Sequence, residues 1–137
     1  MDLKRAVFIN VIIYLAVHIA GPLFASLIGI GFDLRIAPSP EFLFFGMLFA
    51  ICISVIGAFW YFNRRGLKAS AKFGFYFGLI SIPVGFTLDL LLAVLITLTL
   101  RTDPGIFLRA AYGYWLFGVM LVCVPLLSAF IGKIKSK

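Results

Sequence analysis

The sequence is poor in charged residues, since Asp, Glu, Lys and Arg together make up only 12% of its 137 residues. In soluble domains about a quarter of the residues are charged. Hydrophobic residues reach 64%, and the mean hydropathy is +1.16. This composition excludes a soluble globular domain, and no polar stretch is long enough to form one beside the apolar segments. The sequence therefore predicts an integral membrane protein.

Acidic residues are scarcer than basic ones. The chain has five Asp and Glu against 12 Lys and Arg, which gives a net charge of +7. In a soluble protein such a balance would suggest nucleic acid as a partner. Here the basic residues flank apolar runs, where topology signals and lipid headgroup contacts lie. We therefore expect no nucleic-acid partner. The residues predicted to contact anionic lipid are Arg64, Arg65, Lys68 and Lys72.

Cysteine and histidine are rare as well, with two cysteines and a single histidine. Cys52 and Cys123 each lie inside an apolar run and do not form a CxxC pair, so we expect them to be buried small hydrophobic residues. The sequence also has no His-Glu zinc spacing and no Gly-rich phosphate loop. It predicts no metal site and no bound cofactor.

Four long apolar segments account for nearly the whole chain. They run over about 6–30, 42–62, 73–100 and 106–132. Each exceeds the roughly 20 residues that a helix needs to cross a bilayer. The first is too long for a signal-peptide core of about 7–15 residues, so we expect it to be retained as a span. The prediction is an all-α protein with one domain, 1–137, and four transmembrane helices in an up-down bundle.

Lys and Arg divide unequally between the two sides of such a bundle, with nine on one side and three on the other. The side with nine carries Lys4, Arg5, Arg64, Arg65, Lys68, Lys72, Lys133, Lys135 and Lys137. The side with three carries Arg35, Arg101 and Arg109. Because positively charged loops stay in the cytoplasm, both termini are predicted to be cytoplasmic. The expected location is a prokaryotic inner membrane.

Small residues recur at helical spacing in the second and third spans. The predicted packing residues are Gly46, Ala50, Ser54 and Ala58 in the second, and Gly74, Gly78 and Gly85 in the third. Membrane helices associate where small side chains let their backbones come close. We therefore expect the second and third spans to be in the closest contact, either within one chain or between copies.

Asp89 is the one acidic residue deep in an apolar span. A carboxylate at the bilayer centre costs about 2.5–3.5 kcal/mol on insertion scales, so it needs a partner or a proton. His18 lies twelve residues before Ile30, and Asp89 lies eleven before Leu100. In parallel helices, these depths differ by about 2 Å when measured from the outer boundaries and by about 6 Å when measured from the inner ones, a difference that a tilt of the long third span can absorb. His18 is therefore the expected partner.

Tyr14 and Asn10 precede His18 at four-residue intervals and so share its helix face. Two interpretations of Asn10, Tyr14, His18 and Asp89 stay open. They form an internal network that holds the bundle together, or they line a path for protons, ions or a small solute. A third possibility is that His18 serves a haem, pigment or quinone site, in line with an aromatic content of 17%.

Enzymatic motifs are not found. Ser54 or Ser81 together with His18 could form a hydrolase dyad, but neither serine lies in a nucleophile-elbow sequence. We therefore predict that the protein is not an enzyme and has no catalytic residue.

The second half of the chain has a recognisable pattern. It contains KFGFYFGLISIPVGFTLDLLL, a short turn, and then YGYWLFGVMLVCVPLLSAFIG, with Asp89 and Pro125 as distinctive points. This stretch resembles small four-span prokaryotic membrane proteins of unknown function. The resemblance implies fold and topology and no functional residue. Small multidrug exporters have the same number of spans, but they carry an essential glutamate in the first span, where this sequence has none.

Composition, small-residue faces and scarce polar groups together favour a protein that acts by association. The leading hypothesis is a non-enzymatic accessory subunit of a larger membrane complex, or a homo-oligomer. The first alternative is a small proton, ion or solute transporter that uses Asp89 and His18. The second is a membrane subunit that binds a pigment, haem or quinone.

Overall fold

A computed structural model describes residues 2–29, 39–63, 69–100 and 115–136, and within these ranges the chain forms four α-helices. The helices are α1 (Leu3–Leu27), α2 (Pro40–Phe62), α3 (Ala71–Leu100) and α4 (Trp115–Ile134). Several predictions fall outside the described residues. These are the contacts of Arg64, Arg65 and Lys68, and the first part of the predicted fourth span, 106–114.

Three of the helices are long and apolar enough to cross a membrane. The qualifying segments are Leu3–Phe24, Glu41–Phe62 and Ala71–Thr99, with mean hydropathies of 2.1, 2.5 and 2.3. In α4 the described apolar segment, Gly118–Ile134, is shorter. The described chain is thus all-helical, with three helices long and apolar enough to span a membrane, which bears out the coarse fold prediction.

Polar residues mark where the apolar helices begin. The Asp2 carboxylate accepts a hydrogen bond from the Arg5 backbone N–H at the start of α1. The Ser39 hydroxyl caps α2 by accepting from the Phe42 N–H, and Pro40 follows it at the first helical position. Such caps satisfy N–H groups that have no partner within the helix, and proline fits the first turn, where no N–H donor is needed.

Helices that follow one another in the chain run antiparallel. The start of α1 meets the end of α2, where the Asp2 backbone N–H donates to the Tyr61 hydroxyl. In the other pair, Gly74 of α3 lies against Ser128 of α4. Helices α1 and α3 are parallel, and α2 packs on α4. One end of the bundle therefore holds the start of α1 and α3 and the end of α2 and α4. We call this the basic end.

The closest helix pair is α3 with α4, and α2 and α3 touch least among the described neighbours. Within one chain, the prediction that the second and third spans would be in the closest contact is therefore wrong, and close contact between copies stays a prediction. The physical reason is visible at Gly74 and Gly78, where the α3 backbone lies directly against the α4 backbone. The spacing shows that small residues line one face of a helix, but it does not show which neighbouring helix packs against that face.

The buried apolar residues gather toward the basic end. Their cluster contains Ala6, Ile9, Ile13, Ala58, Tyr61, Phe62, Phe77 and Ile131. The Tyr61 and Phe77 rings stack with centroids 4.8 Å apart and tie α2 to α3. The expected burial of Cys52 is wrong, because its side chain is exposed, while Cys123 is half-buried. In a bilayer an apolar side chain gains little by facing protein instead of lipid, so hydrophobicity alone does not predict burial.

Candidate functional site

Tyr14, His18 and Asp89 meet between α1 and α3. The Tyr14 hydroxyl donates a hydrogen bond to Asp89 Oδ1 at 2.7 Å. His18 Nε2 lies 3.4 Å from the same oxygen. Tyr14 and His18 are one helical turn apart on α1, and the parallel direction of α3 brings Asp89 to their level. We call these three residues the polar cluster.

Within the polar cluster, the Tyr14 and His18 rings stack with centroids 3.9 Å apart and planes inclined by 23°. His18 Nδ1 lies 3.0 Å from the backbone carbonyl oxygen of Tyr14. A carbonyl oxygen can only accept, so Nδ1 is the nitrogen that carries a proton in this geometry. The hydrogen bond and the stack together hold the imidazole with Nε2 toward Asp89.

The polar cluster lies within the spanning segments of both helices. His18 is six residues before Phe24, the end of the α1 segment, which is about 9 Å along the helix axis. Asp89 is ten residues before Thr99, the end of the α3 segment, or about 15 Å. Neither side chain is at a helix end, so both polar groups must be satisfied at membrane depth.

The polar cluster is partly open at the bundle surface. The side chain of Asp89 is 14% exposed and that of His18 is 33% exposed. Further along the same face of α1, Ser26 is exposed, and its hydroxyl donates to the Pro22 carbonyl one turn back. The predicted polar face of α1 therefore points inward near the basic end and becomes exposed toward the end of the helix.

Asn10 makes a separate contact nearer the basic end. Its Nδ2 donates to the Ala6 carbonyl at 3.0 Å and to the Phe77 carbonyl at 3.3 Å. The residue is 3% exposed. The structure thus brings three of the four predicted polar residues together and places the fourth in its own buried bond between α1 and α3.

A second polar contact, which the sequence reasoning did not single out, joins α1 to α2 at the basic end. Arg5 Nη2 donates to the Trp60 carbonyl at 2.9 Å, and the Asp2 N–H donates to the Tyr61 hydroxyl at 3.0 Å. A cation beside the last carbonyls of a helix also interacts favourably with the helix dipole. Arg5, which was counted as a topology charge, therefore also makes a structural contact.

The predicted packing residues of α3 differ in their surroundings. A Cβ added at Gly74 would overlap backbone atoms of Ser128, and one added at Gly78 would overlap the backbone of Pro125. At Gly85 an added Cβ would meet no described atom within 4 Å. Gly74 and Gly78 are thus positions of close backbone approach, whereas no described neighbour requires a glycine at Gly85.

On α2, the predicted packing residues Ala50, Ser54 and Ala58 are buried. Gly46 is half-buried, and an added Cβ there would meet no described atom within 4 Å. A glycine that was not singled out from the sequence, Gly57, lies against the Ile13 side chain of α1. The side of α2 that carries these small residues therefore packs partly against α1.

Of the four residues predicted to contact lipid headgroups, the structure describes Lys72. It is exposed at the start of α3, with Nζ 5.9 Å from the centroid of the Tyr76 ring. Lys135 lies at the same end, with Nζ 5.6 Å from the Phe59 ring centroid. Both ammonium groups are placed at the basic end, where anionic headgroups would lie if that end faces the cytoplasm.

The position of His18 bears on ligand binding. Nδ1 faces a carbonyl and Nε2 faces a carboxylate, so a haem iron or pigment metal would have to displace one of these partners to reach a ring nitrogen. Within the described ranges, no group of three or more His, Cys, Asp and Glu side chains could hold a metal ion. Comparison with family models, curated proteins and solved structures finds no match to this chain.

Proposed function

We propose that the chain is a four-span membrane protein that acts by lateral association with other membrane subunits or with copies of itself, without catalysis. In this proposal both termini are cytoplasmic, and the protein lies in a prokaryotic inner membrane. The three spanning helices and the basic end with Lys72 and Lys135 support this placement. The basic end would contact anionic lipid.

The observation that carries the proposal is the partial exposure of the polar cluster. At membrane depth, ionisable side chains normally face a bundle interior, a water-filled cavity or another polar group. Here one third of the His18 side chain is accessible on the α1–α3 side of the bundle. A helix of another chain, laid against this side, would remove the imidazole from lipid and could offer it a further hydrogen bond.

The chemistry of the bilayer favours the same conclusion. Because lipid tails are as apolar as leucine, burying exposed apolar side chains against another helix gives little free energy of association. Close packing and hydrogen bonds must supply that free energy. Beside the polar cluster, Gly85 has no described neighbour within 4 Å of an added Cβ, so another backbone could come close. Polar and small residues thus occur together on α1 and α3.

Native purification tests the proposal. The protein, extracted in a mild detergent and examined by native mass spectrometry, should appear with a stoichiometric partner or as a defined multimer. The double variant His18→Ala with Asp89→Asn should shift this population toward monomer. A wild-type protein that is monomeric over a range of mild detergents and in nanodiscs would overturn the proposal.

A second candidate is translocation of protons, and the contact between His18 Nε2 and Asp89 Oδ1 favours it. Paired ionisable groups at membrane depth are typical of proton relays. If this candidate is right, liposomes containing the protein should show a proton flux that Asp89→Asn abolishes. Equal fluxes for the wild-type protein, the variant and empty liposomes would contradict it.

A further inference from the structure

We propose that His18 and Asp89 form a binding site for a single proton, held between His18 Nε2 and Asp89 Oδ1, and that Tyr14 fixes which nitrogen of the imidazole takes part. This inference goes beyond association. It concerns the chemistry inside one chain, and it holds whether or not the protein has a partner.

In this geometry Nδ1 of His18 carries a proton. This nitrogen lies 3.0 Å from the Tyr14 carbonyl oxygen, which has only lone pairs to offer. Without a proton on Nδ1, two lone pairs would face each other at hydrogen-bonding distance. The carbonyl therefore selects the forms of the imidazole that keep Nδ1–H. The same carbonyl belongs to the residue whose ring stacks on His18, so the ring is held in orientation as well.

The remaining nitrogen, Nε2, faces Asp89 Oδ1. With Nδ1 protonated, a neutral imidazole has a lone pair on Nε2, and a carboxylate has lone pairs on Oδ1. These atoms are 3.4 Å apart, and one proton between them turns a repulsion into an attraction. The proton resides on Nε2, giving imidazolium and carboxylate, or on Asp89, giving imidazole and carboxylic acid. Both arrangements hold one proton and no net charge.

A pair with no shared proton, or with two protons, is costly at membrane depth. Without the shared proton, the Asp89 carboxylate faces the lone pair of His18 Nε2. With a second proton, Asp89 is a neutral carboxylic acid beside the His18 imidazolium. Either change puts a net charge on the pair at membrane depth, where charge is expensive. The pair with one proton is the form that the surroundings favour.

Among the described residues of α2 and α4, the charged groups lie toward the helix ends. On α2, Glu41 and Tyr61 lie near opposite ends of the helix, and Cys52 is exposed. On α4, Lys133 and Lys135 belong to the basic end. The described hydrogen bonds and ion pairs of His18 run to Tyr14 and Asp89.

Tyr14 acts on the site in two separable ways. Its carbonyl sets the Nδ1 proton, and its hydroxyl donates to Asp89 Oδ1 at 2.7 Å. The hydroxyl stabilises the carboxylate more than the acid, so it favours the imidazolium arrangement. Tyr14→Phe removes the hydroxyl and keeps the carbonyl and the ring. Tyr14 is thus a positioning residue for the proton.

The experiment uses the fact that the chain has a single histidine. The full-length protein, made with ¹⁵N-histidine and a tag that contains no histidine, is placed in nanodiscs at neutral pH. Nitrogen NMR gives the protonation of Nδ1 and the imidazolium fraction, and infrared spectroscopy of ¹³C-aspartate gives the carboxylic acid fraction of Asp89. The proposal predicts a protonated Nδ1 and fractions that add up to about one proton per chain.

Three variants sharpen the test. In Tyr14→Phe the His18 imidazolium fraction and the Asp89 carboxylic acid fraction should still add up to about one. The carboxylic acid fraction should rise, because the carboxylate loses the hydrogen bond from the Tyr14 hydroxyl. In Asp89→Asn the imidazolium signal should be lost at the same pH. Glu41→Gln is the matched control, since it removes an exposed carboxylate in the first turn of α2, outside the polar cluster, and should leave the His18 signals unchanged.

Two results would overturn the proposal. One is an Nδ1 without a proton in the wild-type protein. The other is a summed occupancy close to zero or close to two. The measurement is independent of association, because a protein that proves monomeric can still give a sum of one, and a multimer can fail to do so.

Discussion

Replacing Gly74 with alanine should destabilise the bundle, because this glycine allows α3 to touch the backbone of α4. An added Cβ would overlap the Ser128 carbonyl and approach Ala129 Cα, all of them backbone atoms that no side-chain rotation can move aside. Overpacking of this kind costs about 1–3 kcal/mol, and the rigid obstacle places the cost in the upper part of that range, about 2–3 kcal/mol.

Gly85→Ala is the matched control on the same helix. No described atom lies within 4 Å of its added Cβ, so the substitution should be neutral or stabilise by up to about 1 kcal/mol through helix propensity. The two variants should therefore differ by about 2–4 kcal/mol, which corresponds to roughly 30- to 900-fold in the unfolding equilibrium.

Reversible unfolding in mixed micelles with increasing dodecyl sulfate, followed by circular dichroism, measures this difference. The Gly74→Ala curve should move to clearly lower denaturant, while Gly85→Ala unfolds at or beyond the wild-type midpoint. Equal stability of the two variants would refute the close approach of α3 and α4 at Gly74.

Three further predictions concern other contacts and the topology. Asn10→Ala should lower stability in the same unfolding assay by about 0.5–2 kcal/mol, because it removes the bond to the Phe77 carbonyl. Tyr61→Phe should cost about 1 kcal/mol, since the Asp2 N–H loses its acceptor. In a background without native cysteines, Ser39→Cys should react with an impermeant thiol reagent in intact cells. Ser136→Cys should react only after permeabilisation, and the opposite pattern would contradict cytoplasmic termini.

The helices were largely predictable from one-dimensional patterns. The apolar runs at about 6–30, 42–62 and 73–100 place α1, α2 and α3 within a few residues of their observed limits. Their pairing was not predictable in the same way. Gly74 and Gly78 predict that the α3 backbone lies close to another helix. The sequence carries no signal that this helix is α4 and not α2.

The contacts of the candidate site were also only partly predictable from the sequence. His18 and Asp89 could be paired because both are costly at membrane depth and the two parallel spans place them at similar levels. Asn10 could not be assigned, because its partner, like that of Arg5, is a backbone carbonyl. Every residue offers such a carbonyl, so a sequence gives no indication of which one a side chain will find.

The central proposal is that another chain covers the polar cluster, and site-specific photo-crosslinking tests it most directly. A photoreactive amino acid at Leu15, an exposed residue one turn before His18, is compared with one at Phe130, an exposed residue on α4. In native membranes the Leu15 position should yield one discrete protein adduct, identified by mass spectrometry and lost when Asp89→Asn is added. The Phe130 position should yield none. No protein adduct from Leu15, or the same adducts from both positions, would contradict the account.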